Sequence, residues 1–354
     1  MAGPASTPDL PISGSRHQHS TGIYTSWNGR KRRYTPYTKT PKSRKLKGKH
    51  LEKRVSSESQ EADDIPLKKF VNKTWYVYQV TPLYRFKQDK ASLKRYSRHL
   101  SSYLQSEAQK GIGVGGIEDD LGARALFQIL PGLVDETGNA EGIEITVSQK
   151  ENGRNGNKVT LTAILSSVGC RELTEMEGLP NDFERFPVLL AKGLVAPMRQ
   201  TIVWLESQFD CRIRRMSFNP MLLSWMVAMW TGLYSEPMLK PVELRYTVPA
   251  TLQGLSYITM TIQQEDACKL WKSIHNGDTE EVLNEEVAEF LQALETHFFH
   301  HFKIHLSAMT LNRIATPLAF VGKEGRLKIL MTKGVRTVLY HLTELSLENT
   351  GLTA

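Results

Sequence analysis

The residues best suited to chemistry lie in one short stretch, HFFHHFKIH, from His297 to His305. His297 and His301 stand four apart, a spacing that puts two imidazoles on one helix face, as in a two-histidine metal site. His305 follows four further on. The rest of a metal centre is missing from the pattern. There is no His-Glu-x-x-His and no obvious carboxylate or cysteine third ligand, and His305 falls beyond the expected helix end. Partly exposed and core histidines therefore remain the better reading, at a helix C-terminus where positive charge is favoured. Nucleophilic chemistry is no better supported. Cys170, Cys211 and Cys268 are odd in number, far apart and without CxxC spacing, which fits small buried thiols in a reducing compartment. There is no G-x-S-x-G elbow. GIGVGG (Gly111 to Gly116) follows a helical pattern rather than a strand and lacks a P-loop lysine, so it reads as a helix C-cap leading into a strand. No catalytic residue, metal or cofactor is expected, and a histidine-metal enzyme is the weaker alternative.

The elements that hold these residues are legible from periodicity. TWYVYQVTPLYRF (Thr74 to Phe86) predicts a strand that breaks at Pro82. Ala91 to Gln109 predicts a helix, with Lys94, Arg95 and Arg98 on a solvated face. Ala123 to Leu130, Gly142 to Lys150 and Lys158 to Ser167 predict strands, the last two forming a hairpin across ENGRNGN. Residues from Arg171 to Phe186 are less regular. Ala196 to Phe209 predicts a helix and Cys211 to Phe218 a strand. Asn219 then caps a helix with Pro220 at its first position. In that helix Trp225, Met226, Met229 and Trp230 read as packing spine rather than cofactor box. Val242 to Val248 and Leu255 to Ile262 predict strands, and Glu265 to His275 a short helix. A long helix capped by Asp278, with Glu281 completing a capping box, should carry the histidines. From Lys303 the period changes to two, with Ile304, Leu306 and Ala308 on one side, and this strand should run to Ile314. Arg326 to Met331 predicts a further strand and Val335 to Leu347 a closing helix. Hairpins mixed with segregated helices make an α+β fold, with mostly antiparallel sheets.

Charge divides the chain unevenly. Residues 1 to 60 hold 13 Lys plus Arg against Asp9, Glu52 and Glu58, a net +10 of the total +8, so the other 294 residues sum to −2. With few aliphatics, residues 1–64 should be a disordered basic tail before a folded region, 65–354, that has room for sub-domains at 65–185 and 186–354. RKRR (Arg30, Lys31, Arg32, Arg33) and the run containing Lys42, Arg44, Lys45 and Lys47 resemble a nuclear localisation signal. The same charges suit DNA phosphates, as do Lys150, Arg154 and Lys158 around the hairpin tip. Import and DNA contact both remain open for the tail. Thr35-Pro36 and Thr40-Pro41 are candidate proline-directed phosphorylation sites. The longest apolar stretch, Pro220 to Trp230, is shorter than a membrane span, and no signal peptide is evident, so a soluble intracellular chain is expected.

TPLYRF with LKRYSRHL, LSWMVAMWTG, and above all HFKIHLSAMTLNRI with RLKIL and the final LTEL make the folded part closely resemble the centromere protein L family of inner-kinetochore subunits. The resemblance spans most of residues 70 to 347 and does not extend to the basic tail or GIGVGG. It implies curved antiparallel sheets and a non-enzymatic scaffold of the constitutive centromere-associated network (CCAN), acting at the centromere and kinetochore of the nuclear chromosome in mitotic segregation. It also implies a heterodimer with centromere protein N through C-terminal sheet segments, docking with centromere protein C and other inner-kinetochore subunits, and attachment to centromeric chromatin. No membrane partner is implied. The strands from Lys303 to Ile314 and Arg326 to Met331 would offer the pairing edge, through Ile304, Leu306, Ala308, Leu311, Leu327 and Ile329. The competing class is a stand-alone nuclear DNA-binding protein.

Overall fold

Hydrogen bonding and alternation decide which segments pair. In a computed structural model of the protein, the residues described are 43–45, 66–110, 122–133, 140–150, 157–173, 182–233, 240–251, 254–275 and 281–350. The tail supplies a strand, β1 (Ser43–Lys45), which corrects the expectation of a wholly disordered tail at those three residues. The rest of 1–64, like GIGVGG and the ENGRNG turn, lies outside the described residues. Pro82 separates β2 (Thr74–Val80) from β3 (Leu83–Tyr84). Asp89 opens α1 (Lys90–Gln109), its carboxylate accepting from the Ser92 amide at 2.9 Å. Then come β4 (Arg124–Leu130), β5 (Gly142–Lys150) and β6 (Asn157–Ser166), as the alternating pattern predicts.

A single turn, α2 (Cys170–Leu173), and a two-residue β7 (Phe183–Glu184) precede β8 (Val188–Gly193), whose continuous apolar run escapes a period-two search. Next are α3 (Val195–Phe209), β9 (Ile213–Arg215) and α4 (Pro220–Leu233), with Asn219 Oδ1 accepting from the Leu222 amide at 2.8 Å. β10 (Val242–Thr247), β11 (Tyr257–Ile262) and α5 (Gln264–Ile274) follow. Glu281, expected inside the long helix, instead begins β12 (Glu281–Leu283), and α6 (Asn284–Phe302) starts after it. Glu286 rather than Glu281 closes the helix start, accepting from the Leu283 amide at 2.8 Å. Asp278 lies outside the described residues. β13 (Thr310–Ala315), β14 (Ala319–Gly322), β15 (Arg326–Ile329) and α7 (Val335–Thr350) complete the chain.

The α+β architecture holds one large antiparallel sheet, ordered β11-β10-β13-β14-β15-β2-β8-β6-β5-β4, with β9 also on β2. Its middle is buried on both faces. On β8, Val188 and Leu190 join one apolar cluster while Leu189 and Ala191 join the other. On β6, Ile164 does the first and Leu161, Ala163 and Leu165 the second. One cluster is built on α4, α6 and α7, with Trp225, Phe290 and Leu339. The other rests on α1 and α3, where Phe86, Tyr96, Trp204 and Phe209 meet at ring-centroid distances of 5.0–5.8 Å. Alternation thus lets one strand feed two cores.

One edge of β2 is shared by two strands. Residues Thr74–Tyr76 pair with β15, and Tyr78–Val80 with β9. Between them, the Val77 amide donates to Gly325 O and the Met216 amide donates to Val77 O, both at 2.9 Å. Gly325 sits in this fork at φ +69°, and a Cβ there would lie 2.2 Å from Met216 O. Gly325→Ala should lower unfolding free energy by about 2 kcal/mol or more, since a left-handed residue with a side chain costs about 1–2 kcal/mol before any clash. Urea unfolding checks this.

Candidate functional site

The histidine stretch does not assemble a metal centre. Lys303 ends α6 in the left-handed conformation, φ 56°, so the expected strand from Lys303 is displaced by a tight turn at Leu306–Ala308. His297, His300, His301 and His305 are all exposed. The His297 and His301 rings pack edge to face at 4.6 Å, while His305 stacks on Phe299 at 4.0 Å. Among the described residues no group of three His, Cys, Asp or Glu side chains is placed to hold a metal. Cys211 is buried, and burial, with Glu206 adding, pushes its thiol up to about 12. That is the opposite of nucleophile activation.

The expected pairing edge is interior. β13 lies between β10 and β14, and β15 between β14 and β2, so neither strand has a free side. Leu311, Leu327 and Ile329 are core residues. Leu306 is buried inside the tight turn, Ala308 is exposed in it, and Ile304 is exposed ahead of it. The reason is topological: β14 folds back between the two predicted strands, and β2 arrives from far upstream to cover β15. Sequence periodicity registers neither event. Among the described residues the sheet ends instead at β11 and β4. β11 presents Tyr257, 53% exposed, beside Leu255, 47% exposed, while Met260 points into the core. Arg245 holds its guanidinium over the Tyr257 ring at 4.3 Å. β4 presents Leu126 and Ile129.

The basic residues divide. Arg30, Lys31, Arg32, Arg33, Lys42, Lys47 and Arg154 lie outside the described residues. Lys45 lies in β1. Lys150 and Lys158 end β5 and begin β6, both exposed. Lys158 faces Gln149 across the hairpin, so alternation puts the two lysines on opposite sheet faces. Sequence reasoning missed a second basic group, because its members come from two distant segments, Lys69 with Lys73 and then Lys192. Lys69 pairs with Glu144 at 2.6 Å. Lys73 stands near Lys192, and its ammonium is held below the usual lysine range by partial burial, then by Lys192 and Lys69, against an opposing pull from Glu144.

Arg44 is a correction to the DNA set. Its side chain is 3% exposed, with Nη1 at 3.3 Å from Glu344 and Nη2 at 2.7 Å from Glu348. The guanidinium also lies 5.5 Å from the Trp225 ring centroid. In β1, Arg44 pairs with Val282 of β12, and the Ser43 hydroxyl donates to the Glu281 carboxylate. Next to this pocket His341 Nδ1 accepts from Trp230 Nε1 at 2.7 Å. Burial, and then the Arg44 charge, hold His341 down at about 3.

These features define an α+β protein whose distinctive surfaces are the sheet end at β11 and a group of exposed and half-buried lysines. The chain belongs to the centromere protein L family: the Centromere protein L family model matches residues 69–347. It is 33% identical to Centromere protein L of Bos taurus, over 89% of this chain and 88% of that protein. Against Centromere protein L of Homo sapiens it is also 33% identical, over 89% of each chain. For Danio rerio the identity is 32%, over 78% of this chain and 75% of the relative. Membership makes this a centromere and kinetochore protein of the chromosome, in a family not known for enzymes. Among the described residues no helix is long and apolar enough to cross a membrane.

The depressed His341 gives a signed pH effect. The unfolded chain takes up its proton near pH 6.5, while the folded chain does so only at about 3. Stability from this residue is therefore present above pH 6.5 and falls as pH drops toward 3, by up to about 1.4 kcal/mol per pH unit. His341→Gln retains an acceptor for Trp230 and should flatten the slope by about one proton between about pH 6 and 4. Urea unfolding across that range measures it.

Proposed function

We propose that the chain is a non-enzymatic scaffold of the inner kinetochore. It pairs with centromere protein N through the outer edge of β11, docks with centromere protein C and other network subunits, and contacts centromeric DNA through phosphates within the nucleus. The pairing reading is supported chiefly by the position of β11 at the end of the sheet, with Leu255 and Tyr257 exposed beside it. A strand end presents unpaired amides and carbonyls that another chain's strand can satisfy, with alternate side chains selecting the partner. This retains strand addition in the C-terminal half and moves it from β13 and β15 to β11. Leu255→Asp with Tyr257→Asp should reduce co-purification of centromere protein N at least tenfold while leaving the unfolding midpoint of the isolated chain nearly unchanged. Undiminished co-purification would count against this edge.

DNA contact through phosphates is supported by the Lys69, Lys73 and Lys192 group, by Lys150 and Lys158 at the hairpin end, and by the basic runs of the tail. Arg44 is left out of this set. Contacts of this kind carry no sequence preference and release counterions. Lys73→Ala with Lys192→Ala should weaken binding to a duplex of arbitrary sequence and reduce the slope of log affinity against log salt by roughly 1–2. A slope identical to wild type would remove these two lysines from the contact set.

A further inference from the structure

We propose that β12 and the pocket behind it form an arginine-reading strand-docking site, filled by the chain's own Ser43–Lys45 as a latch that can leave. Two independent features coincide there. β12 forms a two-stranded sheet with β1, in the register Ser43 to Leu283, Arg44 to Val282 and Lys45 to Glu281. The Arg44 side chain from that short strand packs among Trp225, Glu344 and Glu348 and forms one wall of a small cavity lined also by Leu222, Met226 and His341.

The pocket selects arginine by shape and charge. One guanidinium reaches two carboxylates at once, Glu344 through Nη1 and Glu348 through Nη2, while lying near the indole of Trp225. Lysine has a single ammonium and no planar face, so it cannot reproduce all three contacts. Burial holds the Glu348 carboxyl above the usual carboxylate range, with Arg44 pulling it back. The site is thus a desolvated acidic cleft whose two carboxyl groups share the charge of one arginine. His341, kept neutral beside it, adds no competing positive charge.

The same features make the latch separable from the core. Three residue pairs in a two-stranded sheet hold little on their own. Much of the attraction within a buried ion pair is spent on desolvation, so the bound arm is only modestly favoured. Yet the strand touches the entry of α6 through β12, the end of α7 through Glu348, and α4 through Trp225. Arg44 also lies within the run KSRKLKGK, whose charges suit phosphates. Glu344 and Glu348 on one side and DNA phosphates on the other therefore compete for the same segment. This competition rests on the DNA reading above; the latch itself does not.

Hydrogen exchange of the full chain, read by mass spectrometry over residues 43–45 and 281–283, tests both parts. In wild type these amides should exchange faster than those of β6 and β8 but remain protected. Glu344→Gln with Glu348→Gln should raise their exchange at least tenfold with β6 and β8 unchanged. Arg44→Ala should do the same, and Arg44→Lys should resemble it. Exchange that tracks β6 and β8 in wild type and in every variant would overturn the latch, since the strand would then open only with the whole fold. Adding a 30-base-pair duplex of arbitrary sequence should accelerate exchange at both strands. Duplex that binds while both strands stay protected overturns the competition. Duplex that fails to bind the full chain counts against the phosphate reading, and the carboxylate variants alone then decide the latch.

Discussion

The arrangement depends on β2 being hydrogen-bonded along both edges by strands distant in sequence. β8 occupies one edge, and β15 and then β9 the other, so a seven-residue strand joins the N-terminal hairpins to the C-terminal ladder. Each partner satisfies backbone groups that would otherwise be buried without bonds. Trp75 and Val77 face the cluster built on α4, α6 and α7, while Val80 joins the cluster on α1 and α3. Gly325 is the steric consequence. Where two strands share one edge, their backbones approach too closely for a side chain.

A continuous sheet with helices on both faces leaves few surfaces for binding. Its interior strands are closed on both sides; among the described residues the sheet ends at β11 and β4, and α1 covers β4, whose Ala125 and Phe127 amides donate to Ser101 and Ser97 Oγ. Charge is arranged to match. Lys69, Lys73 and Lys192, from two segments, gather on one part of the surface, while Glu344 and Glu348 gather around a tail arginine on another. The tail is therefore not a uniform cloud of positive charge. Arg44 is docked on the fold between Glu344 and Glu348 rather than free for phosphates.

Local physics made most elements legible. Asp89 and Asn219 are helix caps whose side chains bond the amides expected of them. The β5–β6 hairpin follows from alternation, and the Met–Trp stripe of α4 is core because no face of that helix is polar enough for water. Errors arose where tertiary bonds outweighed a local signal. Glu281 fits a capping box, yet β1 captures it into a strand, and Glu286 takes the cap. Lys303 begins a period-two pattern, yet a left-handed turn follows the helix because Leu306 must reach the core. β8, apolar at four successive positions, shows no alternation because both of its faces are covered.

By itself the sequence determined the α+β class, the absence of a recognisable catalytic motif, the helix boundaries set by caps, and the family resemblance. These rest on residues close together in the chain or on long idiosyncratic strings. Tertiary structure decided which strands are interior, that Lys69, Lys73 and Lys192 share a surface, and that Arg44 is buried between two glutamates. Edge status, charge clustering and burial are properties of pairs far apart in sequence. Arg44 and Glu348 are 304 residues apart, and no local pattern encodes that contact.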